Sequence, residues 1–481
     1  MVSASAAAHP KTDGDSLYRY SVEFNGAAAS GEHTPFWLVS NRFGLSSIEK
    51  TNGYLRASLI REEKHGDGLT WDFGADVAVA ENYTSTFVIQ QLYGALHYRC
   101  LDLTVGSKEL RSEMVNPELS SGDMLFSGNS RPIPQARLGI ERYTRVPWTN
   151  DWLAVRGYIS MGRFTDDGFQ KTFTAGLSKR TEDVLFHSKG IFLKVGDAEK
   201  HPLTFEGGLE MGAQWGGTIY RTDGKVIEMP HGLKDMFKAI FPSGSTDNGD
   251  PVMAGEVSNV QGNHVGEWSA ALDWHEKGRD WGARLYMEHF FEDHSMMFFD
   301  YEWKDMLLGV EVDVPSNPVV STFVYEYLNT KFQSGAVYWD HTPEIPEQVS
   351  GTDNYYNHYM YAGWEHWGMG IGNPLLVSPI YNTDGSLGFK HNRVKSHHFG
   401  WKGSPLPGVD YRVLLSYTRS WGTYGVPLDD VEKNVNALFE VTWRPRNLKG
   451  WSGTLGLGAD RGAMLGRSYG AMLTISKTGW L

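Results

Sequence analysis

Asn434-Val435-Asn436-Ala437-Leu438-Phe439-Glu440-Val441-Thr442-Trp443 alternates with a period of two. Val435, Ala437, Phe439, Val441 and Trp443 fall on one face of an extended chain. Asn434, Asn436, Glu440 and Thr442 fall on the other, because successive strand side chains point to opposite faces. Working outward, the same pattern recurs. Tyr411, Val413, Leu415 and Tyr417 oppose Arg412 and Ser416, and Trp451, Leu455, Leu457 and Ala459 oppose Ser452, Thr454 and Asp460. Leu153, Val155, Ile159 and Met161 oppose Arg156 and Ser160. Ala283, Leu285 and Met287 oppose Arg284 and Glu288, and Leu308, Val310, Val312 and Val314 oppose Glu311 and Asp313.

Alternation says that one face is dry and the other wet, which a soluble β-sandwich also satisfies. Three features favour a membrane barrel. Apolar faces end in aromatics, at Tyr411/Tyr417 and Trp443/Trp451, where an interfacial girdle belongs. Connections alternate in length. Short turns at Val146–Asp151, His275–Asp280, Pro315–Pro318, Pro405–Gly408 and Arg446–Gly450 separate longer loops at 291–304, 331–357 and 420–432. The last segment, Tyr469 to Leu481, alternates through Ala471, Leu473 and Ile475 and ends Gly-Trp-Leu, with Trp480 as its penultimate aromatic. The expected fold is all-β: a transmembrane antiparallel β-barrel of about 18 strands (roughly 16–20), with both termini on the periplasmic side.

Composition agrees. Lys plus Arg is 44 against 57 Asp plus Glu, a net charge of −13, which argues against nucleic-acid binding. Aromatics make up 13% and glycines number 55, as β structure favours. No stretch approaches the ~18 apolar residues of a membrane helix. Cys100, the single cysteine, excludes a disulfide framework and reads as an inert thiol near a turn at Arg99–Asp102. No short repeat points to a propeller or solenoid.

Residues 17–481 read as one barrel domain. Residues 1–16 read as a residual signal or a flexible N-terminus. Two segments interrupt the alternation. Residues 29–52 break it from His33 to Leu45, and 221–263 is expected to be the longest external loop. Within the latter, Leu233, Met236, Phe237 and Ile240 fall at helical spacing before Pro242 and predict a short amphipathic helix. Both are candidate plug or loop segments.

Several pieces resemble a known family. Thr34-Pro35-Phe36-Trp37-Leu38 with Asn41-Arg42-Phe43-Gly44 is similar to the start of the Wzi-type capsule assembly family. So are His289-Phe290-Phe291-Glu292-Asp293, Tyr325-Glu326-Tyr327-Leu328-Asn329-Thr330, Gln333-Ser334-Gly335 and Asp353-Asn354-Tyr355-Tyr356-Asn357-His358. Gly372-Asn373-Pro374-Leu375-Leu376, Asn392-Arg393-Val394 with His397-His398, and Ser416-Tyr417 with Gly422-Thr423-Tyr424 continue the series. The match looks most like the Bacteroides-type branch. It implies an occluded outer-membrane barrel of about eighteen strands. It also implies a lectin-like surface for capsular polysaccharide, no cofactor and no catalytic residues. The long 221–263 loop, and the lack of an obvious periplasmic helical bundle, look unlike the enterobacterial members.

Catalytic and metal motifs carry simpler readings. Gly14-Asp15-Ser16-Leu17 spells an esterase signature, but no buried strand precedes it and no histidine follows His398. Glu292-Asp293-His294 and His397-His398 put adjacent residues on opposite strand faces, so neither offers two metal ligands on one face. Asp247 and Asp250 around Gly249 lack EF-hand spacing and read as a solvated acidic loop. Arg156, Arg284, Glu288, Glu311, Glu326, Arg412 and Glu440 read as lumen charges. Because both signs occur, a paired network filling a closed lumen is expected over a conducting pore.

Pyranose faces stack on aromatic rings while polar groups satisfy the hydroxyls. That makes Trp303, Tyr338, Trp339, Asp340, Asp353, Asn354, Tyr355, Tyr356, Asn392, Arg393, Trp421 and Tyr424 the candidate polysaccharide-binding rim. The expected setting is the outer membrane of a Gram-negative cell, loops outward, in contact with lipid and lipopolysaccharide. The expected function is a non-enzymatic anchor for surface polysaccharide. The alternatives are a saccharide channel or exporter, or an interaction subunit with an envelope protein partner.

Overall fold

In the stretch 434–443 the apolar face is the exposed one. Phe439 is 45% exposed and Trp443 56%, while Asn434 and Asn436 are 1% and 2% exposed. A water-soluble sheet shows the reverse, so this outer face is built for hydrocarbon. The computed structural model describes residues 18–63, 68–197, 200–241, 262–275, 278–292, 303–339 and 349–481, with 334–339 and 349–352 as backbone.

Eighteen antiparallel strands form one barrel. They are β1 (Tyr18–Gly31), β2 (Thr51–Arg61), β3 (Leu69–Glu81), β4 (Phe87–Tyr98), β5 (Leu101–Ser107) and β6 (Gln135–Arg145). Next come β7 (Leu153–Arg163), β8 (Leu185–Val195), β9 (Leu203–Trp215), β10 (Asn263–His275), β11 (Gly282–Phe291) and β12 (Met306–Asp313). The last are β13 (Thr322–Asn329), β14 (Val394–Leu406), β15 (Val409–Gly422), β16 (Pro427–Trp443), β17 (Trp451–Gly462) and β18 (Arg467–Trp480). Each pairs with its chain neighbours, and β18 closes on β1 from Arg19↔Trp480 to Gly31↔Ser468. Closure pairs backbone groups that lipid could not satisfy and leaves no edge. No described helix is long and apolar enough to cross a membrane.

The ends of the barrel differ. At the end bearing both termini, the connections are short, and every short turn expected from sequence lies there. Trp443, Trp451, Trp480, Trp71, Tyr98 and Trp281 stand exposed around it as an aromatic girdle. The far end carries the long connections 32–50, 108–134, 164–184, 216–262, 292–305 and 330–393. Two expectations are corrected here. Residues 420–432 are mostly strand, with a tight turn at 423–426. The hairpin outruns the apolar band, so Asp429, Asp430 and Glu432 are polar on both faces and hide the alternation. The longest connection is 330–393, not 221–263. Its buried Trp364, Ile371, Leu375 and Leu376 give it the composition of a strand region.

The far-end loops 32–50, 108–134 and 353–393 turn inward and fill the lumen. Phe36, Trp37 and Leu38 of the first form one hydrophobic core with Met114, Leu119 and Leu125 of the second and Tyr356, Trp364 and Leu376 of the third. Tyr286, Phe290, Leu414 and Leu438 of the wall close that core. The break in alternation after His33 is the short helix Phe36–Val39, wholly buried. It sits flush against the wall because Gly458 and Gly470 lack side chains. A Cβ at either would lie 2.7 Å from a Pro35 side-chain carbon.

The helix expected before Pro242 is present as Leu233–Ile240. It belongs to a lobe at the far end rather than to the lumen filling. Thr218–Tyr220 pairs there with Val226–Glu228 and with Arg180–Glu182. The lobe's Ile219 and Met229 pack with Val184, Met360 and Tyr361 above the third inward loop. Cys100 lies in the Arg99–Cys100 turn as a free, half-buried thiol. Residues 1–16, Asp247, Gly249, Asp250, Asp293, His294 and Asp340 lie outside the described residues.

A closed barrel should resist mild detergent. Unboiled protein should run as a compact band that shifts on boiling, and a protein that never shifts would contradict the fold. Phe439→Arg places a cation on the lipid face and should cost about 2–4 kcal/mol of stability if it sits near the bilayer midplane. Denaturant titration in detergent micelles or vesicles would measure the loss.

Candidate functional site

The inward wall is polar, and many of its groups bond to the inward loops. Glu326 on β13 accepts the Ser120 hydroxyl at 2.5 Å, the Ser121 N–H at 2.7 Å and the Tyr286 hydroxyl at 2.6 Å. Arg412 donates to Glu440 at 2.8 Å and to the Glu118 carbonyl at 3.0 Å, and Arg42 reaches the same Glu440 at 3.1 Å. Arg156 pairs with Glu113 at 2.7 Å, and Asn116 donates to Glu311 at 2.8 Å. Glu288 accepts the Met124 N–H at 3.0 Å. Arg284 holds Asp273 at 2.7 Å and Glu206 at 3.1 Å. All of the lumen charges named from sequence therefore face inward, into protein. Buried charges need such partners, and here most partners come from loop 108–134.

Two of the wall's histidine neighbours separate as strand geometry requires. His398 points in, with the Ser416 hydroxyl at 2.7 Å, the Leu119 carbonyl at 2.8 Å and the Trp37 ring at 5.1 Å. His397 points out, 2.9 Å from the Tyr325 hydroxyl. They share no metal face. Glu292 accepts the N–H groups of Tyr356 at 2.5 Å and Asn354 at 3.2 Å.

Between plug and wall lies a partly open cavity of about 140 Å³, lined by Arg131, Arg137 and Arg156 together with Glu113, Glu141 and Glu210. It is below the roughly 300–1,000 Å³ of ordinary small-molecule sites.

The candidate rim residues divide. Tyr355, Tyr356 and Asn392 are corrections: all three are fully buried and present no face to a saccharide. Tyr355 packs edge-on against Phe290, with ring centroids 5.0 Å apart. Tyr356 donates to the Met124 carbonyl, and its oxygen accepts the Asn373 N–H at 2.9 Å. Asn392 donates to Asn354 at 2.6 Å and to the Tyr355 carbonyl at 2.9 Å. Trp303 is half-buried and stacks on His289, centroids 4.3 Å apart. Asp353 is half-buried and Asn354 exposed at the entry to the inward loop. Tyr338 and Trp339 lie in the short strand Ser334–Trp339, which pairs with Val349–Thr352 beyond the barrel wall.

Arg393, Trp421 and Tyr424 do come together. The Arg393 guanidinium lies 3.7 Å from the centre of the Tyr424 ring, and the Tyr424 hydroxyl donates to the Phe332 carbonyl at 2.9 Å. Lys331 sits 4.6 Å from the Trp421 ring and Arg419 5.4 Å. Sequence reasoning missed Lys331, Phe332 and Arg419. The cross-strand match of Lys395 with Arg419, and of Arg419 with Lys433, was the signal that could have found this basic edge. Cation–ring contacts of this kind contribute about 0.5–1 kcal/mol each at exposed sites. Tyr424, Phe332 and Arg419 are exposed and Trp421, Arg393 and Lys331 half-buried, so the cluster forms an aromatic and basic patch on the far rim.

No family model matches the chain, and no curated protein matches it. Among solved structures, the chain is similar to Wzi, an outer-membrane protein involved in group 1 capsule assembly in Escherichia coli and a carbohydrate-binding β-barrel. Identity is 12%, coverage is 96% of this chain and 84% of that one, and the TM-score is 0.57. Also similar are Pseudomonas aeruginosa OpdL, at 9% identity, 97% and 99% coverage and TM-score 0.49, and the outer-membrane protein OpdK of the same organism, at 11%, 96%, 99% and 0.49. At such identity the likeness to Wzi is one of fold: this chain has the architecture of an outer-membrane β-barrel.

The plug contains a carboxyl that titrates unusually. Glu365 accepts the Gly368 N–H at 2.7 Å and a Gln170 side-chain N–H at 3.0 Å, and burial pushes its pKa up to about 8. A carboxyl raised in the folded state stays protonated there while the unfolded chain ionises, so stability falls as pH rises from about 4.5 to 8. Glu365→Gln should therefore gain stability over the wild type progressively across that window and show no advantage at pH 4. Thermal unfolding of both proteins at several pH values would check it.

Proposed function

We propose that this chain is a non-enzymatic outer-membrane barrel that holds a surface polysaccharide on its far rim, with the long connections facing the cell exterior. The observation that carries the reading is the rim cluster: Trp421 and Tyr424 lie beside Lys331 and Arg393 above a lumen filled with protein. Rings offer stacking faces, and the cations suit a polysaccharide bearing acidic sugars. Each sugar would bind weakly, and a long chain would be retained by repeated contacts. The resemblance of the quoted sequence pieces to the capsule assembly family supports this reading, as does the fold shared with a carbohydrate-binding barrel involved in capsule assembly. Lipid and lipopolysaccharide would surround the apolar band.

The second reading is a channel or exporter for saccharides. The charged cavity between plug and wall favours it, since displacement of loop 108–134 would join that space to the lumen. An interaction subunit of an envelope complex is the third reading. It is favoured by the helix Leu233–Ile240, whose Leu233 and Phe237 are exposed.

Trp421→Ala combined with Tyr424→Ala should lower retention of surface polysaccharide while leaving heat-modifiability intact. Unchanged retention by the folded double variant would defeat the rim assignment. In planar bilayers the anchoring reading expects no steady conductance, and well-resolved open channels in the wild type would favour transport.

A further inference from the structure

Three carboxylates meet where loop 108–134 touches the wall. Asp123 comes from the loop, Glu267 from β10 and Glu288 from β11, and an oxygen of each lies within 4.8 Å of the others. All three are fully buried. Part of their bonding is met by the loop backbone. Asp123 accepts the N–H groups of Leu125 at 2.8 Å and Phe126 at 2.6 Å, and Glu288 accepts that of Met124. Outside the cluster itself, Asp123 Oδ2, Glu288 Oε1 and both oxygens of Glu267 meet no donor among the described residues.

A separate group points the same way. Ser269 stands directly opposite Glu288 in the β10–β11 register, on the inward face two residues from Glu267. It is 4% exposed, and its hydroxyl also lacks a partner. Nearby lumen cations are engaged elsewhere: Arg284 with Asp273 and Glu206, Arg156 with Glu113, and Arg137 with Glu141. Buried carboxylates at this spacing repel unless a cation or shared protons lie between them.

We propose that Asp123, Glu267 and Glu288 bind a calcium ion that pins the plug loop to the barrel wall. The ligand set is all oxygen, as a hard divalent ion requires. A separation within 4.8 Å lets one ion touch all three carboxylates at the about 2.3–2.6 Å of calcium–oxygen bonds. Magnesium is the poorer fit, because it gives up its waters reluctantly and all three carboxylates are fully buried. The ion would add a polar link between the loop and two strands that already share one hydrophobic core.

The test uses the full-length barrel, folded in detergent and stripped with a calcium chelator. Calcium alone is then titrated while the thermal unfolding midpoint is followed. Calcium content after dialysis is measured by mass spectrometry and compared with Asp123→Asn, which corrects for ions held by residual lipopolysaccharide. The wild type should retain about one more calcium per chain than Asp123→Asn, and its midpoint should rise by several degrees with calcium. Glu267→Gln should show neither effect. If it fails to insert, Asp123→Asn, changed in the loop rather than the wall, carries the comparison. Equal calcium content in the wild type and Asp123→Asn, with a midpoint indifferent to chelator and calcium, would overturn the proposal and leave shared protons as the account.

Discussion

Glu326 is held by two groups of an inward loop and one of its own wall, and the rest of the molecule depends on contacts of that kind. Lipid demands an apolar outer face, and strand alternation then makes the inner face polar in Asn434, Asn436, Ser416 and Asp460. A wide barrel meets that demand with water. This one meets it with protein, so inward wall residues bond to loop groups, as Glu326 does, or across strands, as Ser160 does to Ser188. A buried donor or acceptor left without one costs about 1–3 kcal/mol. Plug and wall are therefore one structure. The Phe36 N–H donates to Asp460 at 2.7 Å, so even the short helix of the first loop completes a strand residue's bonding.

The wall was legible in the sequence because its rule is local. A two-residue period needs no knowledge of distant contacts, and it gives strand, face and turn at 411–417, 434–443 and 451–460. The helix at Leu233–Ile240 was legible for the same reason. The lumen filling was not. Whether Trp364 faces lipid or a plug depends on the Leu125 carbonyl, to which its indole N–H donates at 3.1 Å from far along the chain. Asp353 to Tyr356 read as a saccharide surface because aromatic and polar residues are mixed there. The same mixture serves a buried loop, where Tyr hydroxyls must bond to backbone and rings must pack. At the rim, Arg393, Trp421 and Tyr424 were legible as types, but their meeting with Lys331 rests on strand register.

The sequence pieces that resemble the capsule assembly family fall mostly in this filling. Pro35 to Leu38 lie under Gly458, and Asn373 donates to the Ser121 hydroxyl at 3.2 Å and to the Gly122 carbonyl. Glu326 and His398 receive loop 108–134, and Asn392 ties the third loop to its own entry. What these pieces encode is how a barrel of this width is occluded. They speak less directly to the ligand, whose surface would be the rim, where the quoted pieces contribute Arg393 and Tyr424.

Occlusion of this kind also bears on transport. Moving loop 108–134 aside would break its bonds to Glu326, Glu311, Glu288, Arg412 and Arg156 together, and would expose Met114, Leu119 and Leu125. These losses are coupled, because the groups share one loop and one core, so transport through the lumen would require the loop to move as a unit. A long polymer held as proposed would meet, on the far rim, a platform that includes the rings of Trp421 and Tyr424 and the cations of Lys331 and Arg393. On that platform, rigidity is an advantage: a surface held by the plug beneath it loses little freedom on binding, which favours many weak contacts over one deep site.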